Sequence, residues 1–233
     1  VTDNVATNES WNGTAWSEQN DLNTARRALG GAGTQTASLA FAGQSPPDLA
    51  VTEKFNGTSW TEVNDMNTAR GSLVGAGTQT AALGIGGAPG PAVNESWNGT
   101  SWTELADLNT GRNELEAAGI STAMLVFGGA PSSGTVATEF WDGTSWTELN
   151  NLSTARFSMA GIGSSTLALA GGGSTGSVTA ATEEWTAATI TDTIKNEGQV
   201  YYNTTTDLIK LSKKVFGAVP TGTWSSGGTL NSG

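Results

Sequence analysis

The sequence has no Cys and no His in 233 residues, only two Tyr, and charged side chains at just 13%. Without those ligands and nucleophiles there is no Cys/His zinc site, no thiol enzyme and no disulfide scaffold. Lack of imidazole also removes the Ser/His triad and His-bound copper or zinc. Basic residues are scarce, ten Lys and Arg against 21 Asp and Glu, for a net charge of -11. That balance repels phosphate backbones and anionic lipid surfaces, so nucleic acid is not an expected partner. No run approaches the ~18 apolar residues of a spanning helix, so membrane insertion is not expected either. The opening VTDNVATNES carries no basic region, apolar core or initiator Met, which predicts a mature or trimmed chain.

What the sequence has in abundance is Gly, at 32, and Trp, at nine, and both belong to a repeat. ESWNGTAWSEQNDLNTAR, EKFNGTSWTEVNDMNTAR, ESWNGTSWTELADLNTGR and EFWDGTSWTELNNLSTAR recur, with turn glycines Gly13, Gly57, Gly99 and Gly143 spaced 44, 42 and 44 apart. Such a period is the signature of stacked supersecondary units. Arg26, Arg70, Arg112 and Arg156 occupy one repeat position, and Trp185 and Trp224 stand in degenerate copies. Asn-Gly or Asp-Gly between aromatic flanks predicts a tight hairpin. The stretches after NTAR, such as SLVGAGTQTAALGIGG, are continuously small, β-branched or aliphatic, which predicts strands buried on both faces. Each repeat thus predicts four short strands.

Four strands per repeat, a Gly pair after an apolar strand (AFAG at 40–43, GIGG at 84–87, VFGG at 126–129, ALAGG at 168–172) and a Trp after a turn resemble the kelch repeat of β-propellers. The family's usual outer-hairpin Tyr is replaced here by Trp or Phe. The resemblance implies an all-β, kelch-like β-propeller of four-stranded blades, four or five of them visible, with a C-terminal β-hairpin insertion. The expected organisation is a repeat array over 1–188, a hairpin insertion over 189–220 and the start of a further degenerate repeat over 221–233. Residues 1–20 supply a hairpin with no preceding buried pair, so closure by strand exchange is expected. Either strands 157–171 complete it, giving four blades, or residues beyond Gly233 do, giving five or more. The segment GQVYYNTTTDLIKLSKK also resembles a short hairpin of tailed-phage fibre and appendage proteins, where kelch-like arrays rich in GAGTQTA occur.

Few groups offer chemistry. A retaining glycosidase needs two carboxyls about 5 Å apart, and the candidates are Glu183 with Glu184, Glu114 with Glu116, and the recurring Glu18, Glu62, Glu104 and Glu148. Recurrence in every repeat favours a structural contact, such as Glu against the NTAR Arg of a neighbouring blade. Asp21, Asp65 and Asp107 could ligate calcium, although turn formation by Asp and Asn needs no metal. No other cofactor is expected. Trp11, Trp60, Trp102 and Trp146 are candidate stacking platforms for a ligand, against the alternative of packing across hairpins and between blades. Asn8, Asn12, Asn56, Asn94, Asn98, Asn151 and Asn203 head Asn-X-Ser/Thr triplets that turn chemistry also explains. The expected function is a non-enzymatic structural or adhesive module of a virion or extracellular surface, oligomeric or within a larger assembly, with virion or surface proteins as partners. A glycan-binding propeller using loops such as AGQSPPD and GGAPSSGT is the alternative, and a glycoside-cleaving enzyme the remaining one.

Overall fold

A strand whose two faces are both apolar needs a neighbour on each side, and the repeat meets this by stacking sheets. The computed structural model describes residues 4–89, 92–130, 134–187, 200–203, 208–211 and 221–230, with backbone alone for 200–203 and 208–211. The strands begin with a two-stranded hairpin, β1 (Asn8–Trp11) and β2 (Trp16–Gln19). A four-stranded antiparallel sheet follows, β3 (Gly30–Thr34), β4 (Ala37–Phe41), β5 (Thr52–Phe55) and β6 (Trp60–Val63), paired in that order. The second sheet is β7 (Val74–Thr78), β8 (Ala81–Ile85), β9 (Asn94–Trp97) and β10 (Trp102–Glu104); the third is β11 (Glu116–Ile120), β12 (Ala123–Phe127), β13 (Thr138–Trp141) and β14 (Trp146–Glu148). The fourth joins β15 (Ala160–Gly163), β16 (Leu167–Gly171) and β17 (Ala181–Ala187) to β20 (Gly222–Thr229). A separate hairpin of β18 (Val200–Asn203) and β19 (Leu208–Leu211) falls between β17 and β20. The rest of the 189–220 insertion lies outside the described residues.

This is an all-β, propeller-like array of four-stranded blades. The innermost strands β3, β7, β11 and β15 stand side by side in chain order. Strands 157–171 do not complete the N-terminal hairpin: β16 pairs with β17, while β1 pairs with β2. The aromatic flanks Trp185 and Trp224 of the degenerate copies meet in register across β17 and β20, so one outer hairpin is reconstituted across the insertion.

The core lies between sheets. Leu39 and Phe41 of β4 face the second sheet and pack with Met66, Leu73, Trp97 and Trp102. On β8, Ala82 turns to that same cluster while Leu83 and Ile85 turn to the next, against Leu108, Met124, Trp141 and Trp146. On β12, Met124 and Val126 face back while Leu125 and Phe127 face forward. Alternate residues of one continuously apolar strand therefore serve two clusters, as the both-faces-buried pattern predicts.

Two features stitch the blades together. The Gln of GAGTQTA reaches backwards: Gln79 Nε2 donates to Ser38 O at 3.0 Å and to Phe55 O at 2.6 Å. The second is a belt of residues in the left-handed region, Ala28, Ser72, Glu114 and Ser158, with φ of 51°, 55°, 50° and 48°. Ser72 N–H donates to Ala28 O, Glu114 N–H to Ser72 O and Ser158 N–H to Glu114 O, at 2.9 to 3.0 Å. A non-glycine residue at positive φ costs free energy, and here each makes a main-chain link to the next blade.

Candidate functional site

The recurring charges form four buried pairs. Arg26, Arg70, Arg112 and Arg156 meet Glu53, Glu95, Glu139 and Glu183 at 3.1, 2.8, 3.1 and 2.6 Å. The expectation of Glu18, Glu62, Glu104 and Glu148 against the arginine of a neighbouring blade is corrected. The partner lies one strand further in, within the sheet that the arginine's own linker enters. Glu62, Glu104 and Glu148 stand directly across the hairpin from Glu53, Glu95 and Glu139 and remain exposed at the outer edge. Each buried carboxylate is also closed by the turn before the arginine. Asn67 N–H and Nδ2 donate to Glu95 Oε2 at 2.7 and 2.8 Å, and Thr68 N–H to Oε1 at 3.2 Å. The turns at Asn23, Asn109 and Ser153 likewise donate a main-chain N–H to Glu53, Glu139 and Glu183. Burial pushes the guanidinium pKa of Arg26, Arg70 and Arg112 down, and the facing glutamate pulls it back up. Such a pair is strongly destabilising to break, because the surviving charge stays buried.

Among the described residues, the other carboxylate candidates meet different partners. Neighbours on one strand point to opposite faces, so Glu183 is buried against Arg156 while Glu184 is exposed. Glu114 accepts from Ser158 Oγ. Glu116, on the innermost strand, is raised to about 7 by burial, opposed by the N–H groups of Ala117 and Gly161. Asp65 Oδ1 accepts Thr52 N–H at 3.2 Å, and Asn151 Oδ1 accepts Thr138 N–H at 3.1 Å in the equivalent place. An amide thus makes the same contact as the candidate calcium ligand. No group of three or more acidic residues able to hold a metal occurs among the described residues.

The turn glycines have φ of 94°, 92°, 93° and 95° at Gly13, Gly57, Gly99 and Gly143, with no close neighbour for an added Cβ at Gly13. Backbone conformation, not crowding, is what requires glycine there. The tight hairpin expected is present: Trp11 pairs with Trp16 across a four-residue loop, and Asn12 Oδ1 accepts the N–H groups of Thr14 and Ala15 at 2.9 Å. Asn56 and Asn98 repeat this cap, with Asp142 substituting in the fourth hairpin. Asn94 is fully buried and Asn151 holds Thr138, so turn or core structure accounts for Asn12, Asn56, Asn94, Asn98 and Asn151 among the triplet positions.

The candidate stacking tryptophans separate sharply. Trp102 is 6% and Trp146 8% exposed, wedged between blades, with Nε1–H donating to Thr52 Oγ1 and Ala106 O. Their ring faces are covered by protein, which removes them as sugar platforms. Trp60 is half-buried, its Nε1–H without an acceptor among the described residues. Trp11 is 44% and its cross-strand partner Trp16 65% exposed, with ring centroids 5.6 Å apart. Beside them, between β1 and the first sheet, lies a groove of about 510 Å³ lined by Glu9, Ser10, Gly33, Gln35, Ser38 and Phe55, among others. No family model matches this chain, and no curated protein matches it. The exposed hairpin and its groove are therefore judged on their own chemistry. Sequence reasoning missed the inner glutamates, although a signal was there. The fifth, degenerate copy keeps Glu183 but has Ser226 across from it, where the other hairpins carry a second glutamate.

Proposed function

We propose that this chain is a non-enzymatic structural or adhesive module of kelch type, an appendage or surface protein of a tailed-phage virion that makes protein–protein or host-surface contacts. The observation that carries this reading is the use of the recurring charges and aromatics in blade packing, in contrast to the open hairpin at the array's beginning. Four arginines, four glutamates and most indoles are already engaged. The GAGTQTA runs and the YYN hairpin support the phage setting by resemblance. Cross-linking mass spectrometry on the native particle tests it: links from the 1–20 region to other virion proteins are expected, and a chain free of any protein neighbour would overturn it.

The exposed Trp11 and Trp16 pair favours one second reading, a carbohydrate-binding propeller, because a solvent-facing indole offers a sugar a flat apolar face. Titration with an oligosaccharide panel separates the two. A saturable change in Trp emission that disappears in Trp16→Ala would establish the glycan reading in place of the first.

A further inference from the structure

At the first residue of each innermost strand the repeat places Gly30, Val74, Glu116 and Ala160, each paired with the end of the strand that follows. Only one of the four can ionise. Between the first two sheets the innermost strands meet backbone to backbone: a Cβ added at Gly75 would lie 2.7 Å from Gly31 N. Between the third and fourth sheets an acid is interleaved instead. A Cβ added at Gly161 would lie 2.7 Å from Glu116 Cβ, 3.3 Å from its Oε2 and 2.9 Å from Phe127 Cζ, so the Glu116 side chain fills the place that the glycine leaves free. Its carboxyl takes the N–H groups of Ala117 on its own strand and Gly161 on the next. One side chain therefore spans the seam of β11 and β15.

The neighbouring strands β7, β12 and β15 contain no ionisable residue that could answer this carboxyl. Ionisable groups on the approaches to the seam are engaged elsewhere: Glu114 accepts Ser158 Oγ, Arg112 meets Glu139 and Arg156 meets Glu183. A neutral acid fits such a place at little cost, whereas a carboxylate held there has only two N–H groups in exchange for its hydration. Admitting water to the seam relieves that cost. The outer contacts of the two sheets, Trp224 Nε1–H to Thr138 Oγ1 at 3.1 Å and Asn150 Nδ2 to Gly222 O at 2.6 Å, join neutral groups and hold in either state.

We propose that Glu116 is a proton-operated latch between the third and fourth sheets: as an acid it keeps β15 closed against β11, and as a carboxylate it lets the axis side of that seam open while the outer contacts and the other seams stay shut. The sheet so released is the one interrupted between β17 and β20 by the hairpin of β18 and β19. The latch thus acts on the blade that carries the insertion, whichever surface the chain contacts. Closed, the carboxyl titrates at about 7, and exposed to water it returns to its ordinary 4.5. The seam is therefore tightest below the lower value, loosens as pH rises between the two, and changes no further above the higher one.

Amide hydrogen exchange on the full chain tests this, with protection of the β11 and β15 peptides expressed relative to β3 and β7 peptides in the same sample. That ratio should fall at least about tenfold from about pH 4 to about pH 8. In Glu116→Gln, which keeps the shape and cannot ionise, the ratio should be flat, as it should in Glu116→Val, which carries the residue that β7 has at this place. Glu114→Gln should behave as the parent does. Urea unfolding at the lower pH checks that each variant folds. A ratio independent of pH in the parent, or a fall that persists in the Glu116 variants, overturns the proposal. So does an equal loss of protection in all four sheets, which would make Glu116 a determinant of global stability with no seam of its own.

Discussion

Residues 8–18 and 94–104 are nearly one sequence, NESWNGTAWSE against NESWNGTSWTE, identical at nine of eleven positions. Both form the same four-residue-loop hairpin with the same Asn cap and the same facing aromatics. Yet Trp97 is 2% exposed where Trp11 is 44%, and Glu95 is fully buried where Glu9 faces solvent. Local sequence therefore sets the hairpin, and the adjoining strand pair sets what its side chains experience. The same carboxylate is a buried half of an ion pair in one place and an unmatched surface charge in the other.

That contrast can be broken most forcefully at the glutamates. Glu95→Ala leaves Arg70 buried without its counter-charge and should destabilise the fold by about 3–5 kcal/mol. Glu9→Ala should change stability by no more than about 0.5 kcal/mol, as expected of surface substitutions. Urea denaturation followed by Trp emission compares the two, and equal losses would mean that Glu9 contributes to the fold as much as Glu95 does.

The indoles give a smaller difference. Trp102→Phe keeps most of the apolar ring but leaves Thr52 Oγ1 without its donor, at a cost of about 1–3 kcal/mol. Trp16→Phe should be close to neutral by the same measurement; a comparable loss there would show that Trp16 is packed in solution.

Glu116 sharpens the comparison through pH. Its carboxyl is raised from an ordinary value near 4.5 to about 7 by burial. Between those values the folded chain holds a proton that the unfolded chain has released, so stability falls as pH rises through that window. Glu116→Gln should flatten this slope, which amounts to about 1–3 kcal/mol after allowance for partial solvent access. Unfolding midpoints at about pH 4 and about pH 8, either side of the window, read it, and an unchanged slope in the variant would assign the dependence elsewhere. Smallest of all, Asp142→Asn should lie within about 0.5 kcal/mol of the parent, since Asn makes the equivalent cap at Asn12, Asn56 and Asn98.

Much of this architecture was legible from repetition alone. The Trp-flanked turns mark the outer hairpins, and the second strand of an apolar run is covered on both faces, as β4, β8 and β12 are, whereas the first, β3, β7, β11 or β15, is mostly half-buried or exposed, against the expectation that both would be buried. Less legible was which of two glutamates meets the arginine, because alternation assigns Glu95 and Glu104 to one face but not to different depths from the axis. Depth is a property of sheet stacking. The pairing of β17 with β20 was likewise hidden, since the insertion separates two aromatic flanks that a four-residue loop joins elsewhere. For the candidate site, sequence singled out Trp11 but treated it as equivalent to Trp102 and Trp146, and only the missing neighbour distinguishes it.

The belt formed by Ala28, Ser72, Glu114 and Ser158 joins blade to blade through amide and carbonyl groups, and the residue at this position differs along the array. The connection asks for a backbone shape and leaves the side chain unspecified. Evolution and protein engineering therefore find here a row of interchangeable sockets, in which new functional groups can be installed one blade at a time while the links that carry load between blades stay as they are.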